Sequence, residues 1–174
     1  MIPMIVISNT GPLIHLAKLE KLQLLKQLFG YIYITKKIYE EAVIIGKKKE
    51  YEDAKIIENY IEEGWIIVIP HKPDQDLKYR GILFGLDEGE IEAISLTRLS
   101  GGLLLSDEKK AREFATINGI AVMGTIGIII YATKNSLISN QQATKLLRQL
   151  PDIMYISENI VEEAIRRLGN TKNI

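Results

Sequence analysis

The 174-residue chain is 47% hydrophobic and 25% charged. That is the composition of an ordinary globular protein, able to bury about 70% of its extended-chain surface and read here as one domain over residues 1–174. Without cysteine it has no disulfide, no thiolate chemistry and no cysteine-held zinc, a usage that fits a reducing cytoplasm, and its 22 Lys and Arg balance 22 Asp and Glu, so contact with nucleic acid requires a local basic patch.

The apolar start MIPMIV is too short for the core of a leader, with no basic flank before it and no small-residue cleavage site after it. Residues 4–7 form the first predicted strand, which runs into ISNTGPLI at 7–14. A strand-to-helix turn accounts for that polar triplet, because Asn or Thr caps a helix and Pro12 suits its first turn. A ligand site accounts for it equally, because ligands bind at the carboxyl ends of parallel strands.

Residues 13–28 supply helical material with Leu19, Leu22, Leu25 and Leu28 at spacing three, followed by a strand at 31–34 and a helix at 36–44. GKKK reads as a loop, then a helix at 51–62 carries Ala54, Ile57 and Ile61 at helical spacing, and 65–69 is a strand. HKPDQDLKYRG is polar and proline-bearing and reads as a loop. A helix at 86–100, a strand at 103–105, a helix at 108–118, a strand at 120–123 and a helix at 125–133 follow. The tail from 139 offers a helix, a short extended piece at 153–156 and a last helix at 158–168. The uncharged run at 115–133 approaches a bilayer span, yet Gly119, Gly124 and Gly127 divide it into a turn, a buried strand and a helix, so no membrane association is expected. Strands alternating with helices predict an α/β fold with a mostly parallel sheet covered on both faces.

Neither GxxxxGK[ST] nor GxGxxG occurs, which argues against the standard nucleotide-hydrolysing and dinucleotide-binding enzymes. His15, among Leu and Ile, reads as packed rather than ligating, and His71 as solvated. Acids carry the signal, in IYEEA (Glu40, Glu41), LDEGEIEAI (Asp87, Glu88, Glu90, Glu92) and LLSDEKKAR (Asp107, Glu108). Singly, each has a structural explanation: Asp107 as an N-cap, Asp87 with Glu90 as a capping box, Glu40 and Glu41 as a solvated face. Together with Asn9 they converge on one edge of a parallel sheet, where clustered carboxylates repel unless a hard cation such as Mg²⁺ or Mn²⁺ lies among them.

In order along the chain, VISNTGPLIHLAKLEKLQLLKQLF, YITKKIYEEAV, LDEGEIEAISLTRLSGGLLLSDEKKAR, VMGTIGIIIYATKNSLI and YISENIVEEAIRRLGN resemble successive motifs of PIN domains, in the branch beside the VapC-type toxins. The resemblance covers nearly the whole chain and is weakest around His71 to Arg80. It implies a three-layer α/β/α sandwich and a Mg²⁺- or Mn²⁺-dependent ribonuclease site, with RNA as substrate, a cognate antitoxin as partner, a homodimeric assembly and a cytoplasmic location. Carried over by position, the family's four acids fall on Asn9, Glu41, Glu90 and Asp107, the last three as catalytic residues and all four as metal ligands. Thr10 and Thr125 fall where small hydroxyl residues line the site.

Glu90 and Glu92 lie about 200° apart on a helix, and Glu40 and Glu41 about 100° apart, so one of each pair can face the site; the match favours Glu90 and Glu41. Glu108 is the alternative to Asp107. Asn9 departs from the family's usual Asp, offering an oxygen without a charge, so one ion held with water and substrate phosphate is more secure than two. Lys36, Lys37, Lys47, Lys48 and Lys49 are the candidate RNA contacts, with solubility as their alternative role. A weak or inactive PIN fold that binds RNA or protein is the second reading. A receiver-like signalling domain is disfavoured, because Gly124-Thr125 follows the fifth strand where a receiver needs Lys.

Overall fold

The computed structural model describes residues 4–170. Five parallel strands form one sheet in the order β3-β2-β1-β4-β5, with β1 Val6–Ser8, β2 Ile32–Thr35, β3 Ile66–Ile69, β4 Leu103–Leu105 and β5 Ala121–Met123. Every pairing is parallel; Ile7 stands beside Tyr33 on one side and Leu104 on the other. The chain steps outward from β1 to β2 and β3, then returns past β1 to lay down β4 and β5. The reversal opens a crevice between β1 and β4, the place where open α/β sheets bind ligands.

Side-chain alternation along these strands divides the core. Val6, Leu103 and Leu105 face one layer, packing with Leu13 and Leu16 of α1 (Thr10–Lys18) and Ile57 of α5 (Glu52–Glu62). Ile7 and Leu104 face the other, with Ile91 and Ile94 of α7 (Glu88–Ser100) and Ala111 and Phe114 of α8 (Lys109–Ile117). The result is the α/β/α sandwich expected. A third cluster joins α9 (Thr125–Lys134), α10 (Asn140–Gln149) and α11 (Glu158–Gly169) around Ile129, Leu147 and Val161. Among the described residues no helix is long and apolar enough to cross a membrane.

The structure refines or corrects the expected elements in four places. The helical material of residues 13–28 is divided between two helices. Helix α1 stops at a turn in which Glu20 has φ 56°, Glu20 N–H donates to the Ala17 carbonyl and Lys21 N–H to that of Leu16; α2 (Gln23–Phe29) then starts afresh. This is the left-handed helix stop usually written with glycine, here made by glutamate. GKKK is not a loop, because α3 (Lys36–Tyr39) continues through a π-helical turn (Glu40–Ile45) into α4 (Gly46–Lys48). Gly46 is there for packing: a Cβ would meet that of Ala54 at 2.7 Å. HKPDQDLKYRG is loop only at its start, since Asp74 Oδ1 accepts from Leu77 N–H at 2.9 Å and caps α6 (Gln75–Phe84). Residues 153–156 add no strand; a 3₁₀ turn (Leu150–Asp152) and irregular chain fill the space before α11.

Candidate functional site

Asn9 directly follows β1, and its backbone N–H continues the ladder to the Leu105 carbonyl of β4 at 2.8 Å. It occupies the N-cap position of α1 without capping it. Its side chain turns across the crevice instead: Nδ2 donates to Ser106 Oγ at 2.9 Å, and Oδ1 is buried with no hydrogen-bond partner. A buried acceptor without a partner costs about 1–3 kcal/mol and points to a missing donor or cation.

Around Asn9 opens a cleft of about 640 Å³, which Thr10, Glu41, Asp87, Glu90 and Glu108 also line. Glu41 projects from the π-helical turn, a distortion that often marks functional positions. Its Oε2 accepts from Thr10 Oγ1 at 2.8 Å. Burial pushes the Glu41 carboxyl above its usual range, against the pull of the Thr10 hydrogen bond and with the help of nearby Asp87. Glu90 serves two ends at once. It closes the capping box of α7, with Oε2 accepting from Asp87 N–H at 2.9 Å and Asp87 Oδ1 accepting from Glu90 N–H at 2.8 Å, and it also lines the cleft. Burial raises its pKa as well.

Asp107 is placed differently. Its side chain is 6% exposed and accepts three hydrogen bonds: from Thr125 N–H at 2.7 Å, Thr125 Oγ1 at 2.6 Å and His15 Nδ1 at 2.8 Å. It does not cap α8, as the capping explanation required; Glu108 stands at that N-cap position. It supplies the cap that Gly124 cannot give α9, from another element. Burial, the largest influence, pushes the Asp107 pKa up, but the bonds from His15 and Thr125 outweigh it and hold the carboxyl below its usual value. Asp107 therefore stands behind the cleft wall, while Glu108, Lys109 and Lys110 form that part of the wall.

The two threonines have parallel duties, Thr10 binding Glu41 and Thr125 binding Asp107. His15 is held by a carboxylate rather than merely packed. His71, expected to be solvated, is half-buried and bonded to Ser95 Oγ at 2.8 Å, and burial lowers its pKa. Among the expected RNA contacts, Lys37 bridges Glu40 at 3.8 Å and Glu88 at 3.5 Å, and Lys47 is bound to Glu58 at 2.8 Å. None of the five lines the cleft; Lys109 and Lys110 do. Their signal was the KK directly after Asp107 and Glu108, at the same strand end as the acids.

Gly89 also escaped notice. The Glu41 carboxylate lies on it so closely that a Cβ would stand 2.7 Å from Oε1 and 3.0 Å from Oε2. Gly89→Ala is expected to leave the melting temperature unchanged or slightly higher, since alanine is the better helix former by up to about 1 kcal/mol. The displaced Glu41 should cost at least about tenfold in any activity of the cleft, because catalytic geometry tolerates little misplacement. Full activity in this variant would show that the position of Glu41 is irrelevant.

Among the described residues no three His, Asp or Glu side chains are gathered closely enough to constitute a metal site by themselves. The donors nevertheless fit a hard cation of the magnesium type, which binds through one or two carboxylates and takes its other oxygens from water and substrate phosphate. The unpartnered Asn9 Oδ1 and the two carboxylates with raised pKa are such donors.

A parallel sheet of this order with acids at its carboxyl edge defines an α/β class with a ligand crevice at the switch point. The family model described as PIN domain matches residues 5–170, and the chain belongs to that family. PIN domains are generally dependent on divalent metal. No curated protein shows a significant match to the chain.

Proposed function

We propose that the chain is a Mg²⁺- or Mn²⁺-dependent ribonuclease that hydrolyses RNA phosphodiester bonds in the cleft at the carboxyl edge of the sheet. The observation that carries this reading is the buried, unpartnered Oδ1 of Asn9, a residue lining a cleft in which the Glu41 and Glu90 carboxyls are raised in pKa by burial. Asn9, Glu41 and Glu90 would hold the ion. When bound, it supplies an activated water and neutralises charge on the phosphorane-like transition state.

The chain's own groups do the rest. The Thr10 hydroxyl fixes the rotamer of Glu41, and the capping box fixes Glu90. Glu41, with its proton affinity raised by burial, is the group suited to orient or deprotonate an attacking water. Lys109 and Lys110 offer positive charge to the phosphate. Asp107 is a positioning residue that ties α9 and His15 to the end of β4. A toxin-like role with a cognate antitoxin, homodimer assembly and a cytoplasmic location belong to the same proposal and rest on the resemblance.

The test is a Mn²⁺ titration on a panel of structured and unstructured RNAs. Wild type should cleave single-stranded RNA slowly and only with metal, and Glu41→Gln should lower the rate by roughly 100-fold or more. The same variant should melt higher without metal. A raised folded-state pKa contributes stability that is full below the ordinary Glu value of about 4.3 and lost as pH rises through the raised value. Glutamine removes that loss, worth about 1–3 °C at pH 7 for a half-exposed group and vanishing below about pH 4. A second reading, an RNA-binding module without cleavage, is favoured by Asn9 and by the lack of a three-acid cluster among the described residues. RNA binding with no cleavage under any metal would establish it.

A further inference from the structure

A second groove, of about 490 Å³, lies beside the cleft along the same edge of the sheet. Lys36 follows β2 directly, and His71 and Lys72 lie in the connection after β3; because these strands are neighbours, the two segments meet. Lys78 of α6 and Glu88 and Glu92 of α7 complete the walls. One residue step on the chain separates groove from cleft, since Asp87 lines the cleft and Glu88 the groove.

Charge distinguishes the groove from the rest of an electrically neutral chain. Lys36, Lys72 and Lys78 form no ion pair among the described residues, whereas Glu88 is already compensated by Lys37 at 3.5 Å. Three uncompensated ammonium groups therefore face Glu92. Ammonium groups on flexible stems are point charges suited to phosphate oxygens. No Phe, Tyr or Trp lines the groove, and its one ring, the half-buried His71 imidazole, is bonded to Ser95 Oγ, so phosphate contacts outweigh base stacking there.

We infer that this groove is a backbone subsite that holds the phosphates of the single strand flanking the bond in the cleft, with Lys36, Lys72 and Lys78 as its cations. The inference rests on the ribonuclease reading for what occupies the cleft. Recognition here is indifferent to sequence and to the sugar, because contacts to phosphate position a strand without reading its bases.

The test is binding in metal-free buffer containing EDTA, which does not depend on cleavage. A 12-nucleotide RNA, a single-stranded DNA of the same sequence and a 3-nucleotide RNA are titrated by fluorescence anisotropy at several salt concentrations. Wild type should prefer the 12-mers to the 3-mer and bind RNA and DNA alike. Lys72→Ala/Lys78→Ala should weaken both 12-mers about tenfold and reduce the slope of log K against log salt by about 1.4, two phosphates at 0.7 each. Lys47→Ala should leave the slope unchanged. An unchanged slope in the double variant, or a wild type that binds the 3-mer as well as the 12-mers, overturns the subsite, while metal-dependent cleavage would still stand. A reduced slope in a protein that never cleaves leaves the subsite standing and removes the ribonuclease. Coincident melting curves for wild type and the double variant show that the slopes compare folded proteins.

Discussion

Asp107→Asn is expected to lower the melting temperature by about 5–12 °C at neutral pH. The carboxylate accepts three hydrogen bonds and has no bond to donate. An amide in its place keeps an oxygen for Thr125 N–H and turns its N–H₂ to Thr125 Oγ1 and His15 Nδ1, which must rotate and change tautomer to accept, so charge-assisted bonds give way to weaker neutral ones at about 2–4 kcal/mol, with each kcal/mol worth about 2–4 °C in a chain of this length. The pH dependence is a separate check. Because the folded-state pKa of Asp107 is lowered, its stabilisation is full above the ordinary Asp value of about 3.9 and is lost as pH falls through the lowered value. The gap between wild type and variant should therefore close below about pH 4. An Asp107→Asn protein as stable as wild type at pH 7 would show that the network around α9 is dispensable.

Asn9→Asp should have opposite effects without and with metal. Asn9 is 4% exposed and its Oδ1 has no partner, so a carboxylate there is buried with only the Ser106 hydroxyl, able to rotate and donate, to offset its charge. The metal-free protein should melt about 4–10 °C lower. Millimolar Mn²⁺ should recover most of that loss and raise the melting temperature more than in wild type, because the added charge tightens cation binding. With an acid at position 9 beside Glu41 and Glu90, cleavage of single-stranded RNA should quicken by about tenfold. Faster cleavage by wild type than by Asn9→Asp would mean that the amide is itself the tuned ligand. If Mn²⁺ shifts neither melting curve, Asn9 faces no ion.

Periodicity and punctuation were enough to read the five strands, and all lie within two residues of where they were expected. Buried strands such as LLL at 103–105 can only run between helices in a chain of this pattern. Where expectation failed, the missing information was a partner elsewhere in the fold or a stop written in unusual residues. Glu20 and Glu50 both have positive φ and end helices where glycine is the common sign. Gly46, in contrast, looked like a break and is a close contact with Ala54.

The candidate site divides along the same line. Glycine, proline and the polar residues after apolar runs mark strand ends locally, which is why Asn9, Glu41, Glu90 and Asp107 could be nominated from spacing and family likeness. Their duties depended on residues distant in the chain: Thr10 reaches Glu41 across 31 positions, His15 reaches Asp107 across 92, and Asn9 reaches Ser106 across 97. Burial acts the same way, raising Glu41 and Glu90 while three donors hold Asp107 down. Backbone periodicity and strand-end chemistry are properties of neighbours along the chain and can be read from it. Which oxygen is engaged, which is buried without a partner and which lysines line the cleft are set by packing between elements, and only the folded chain decides them.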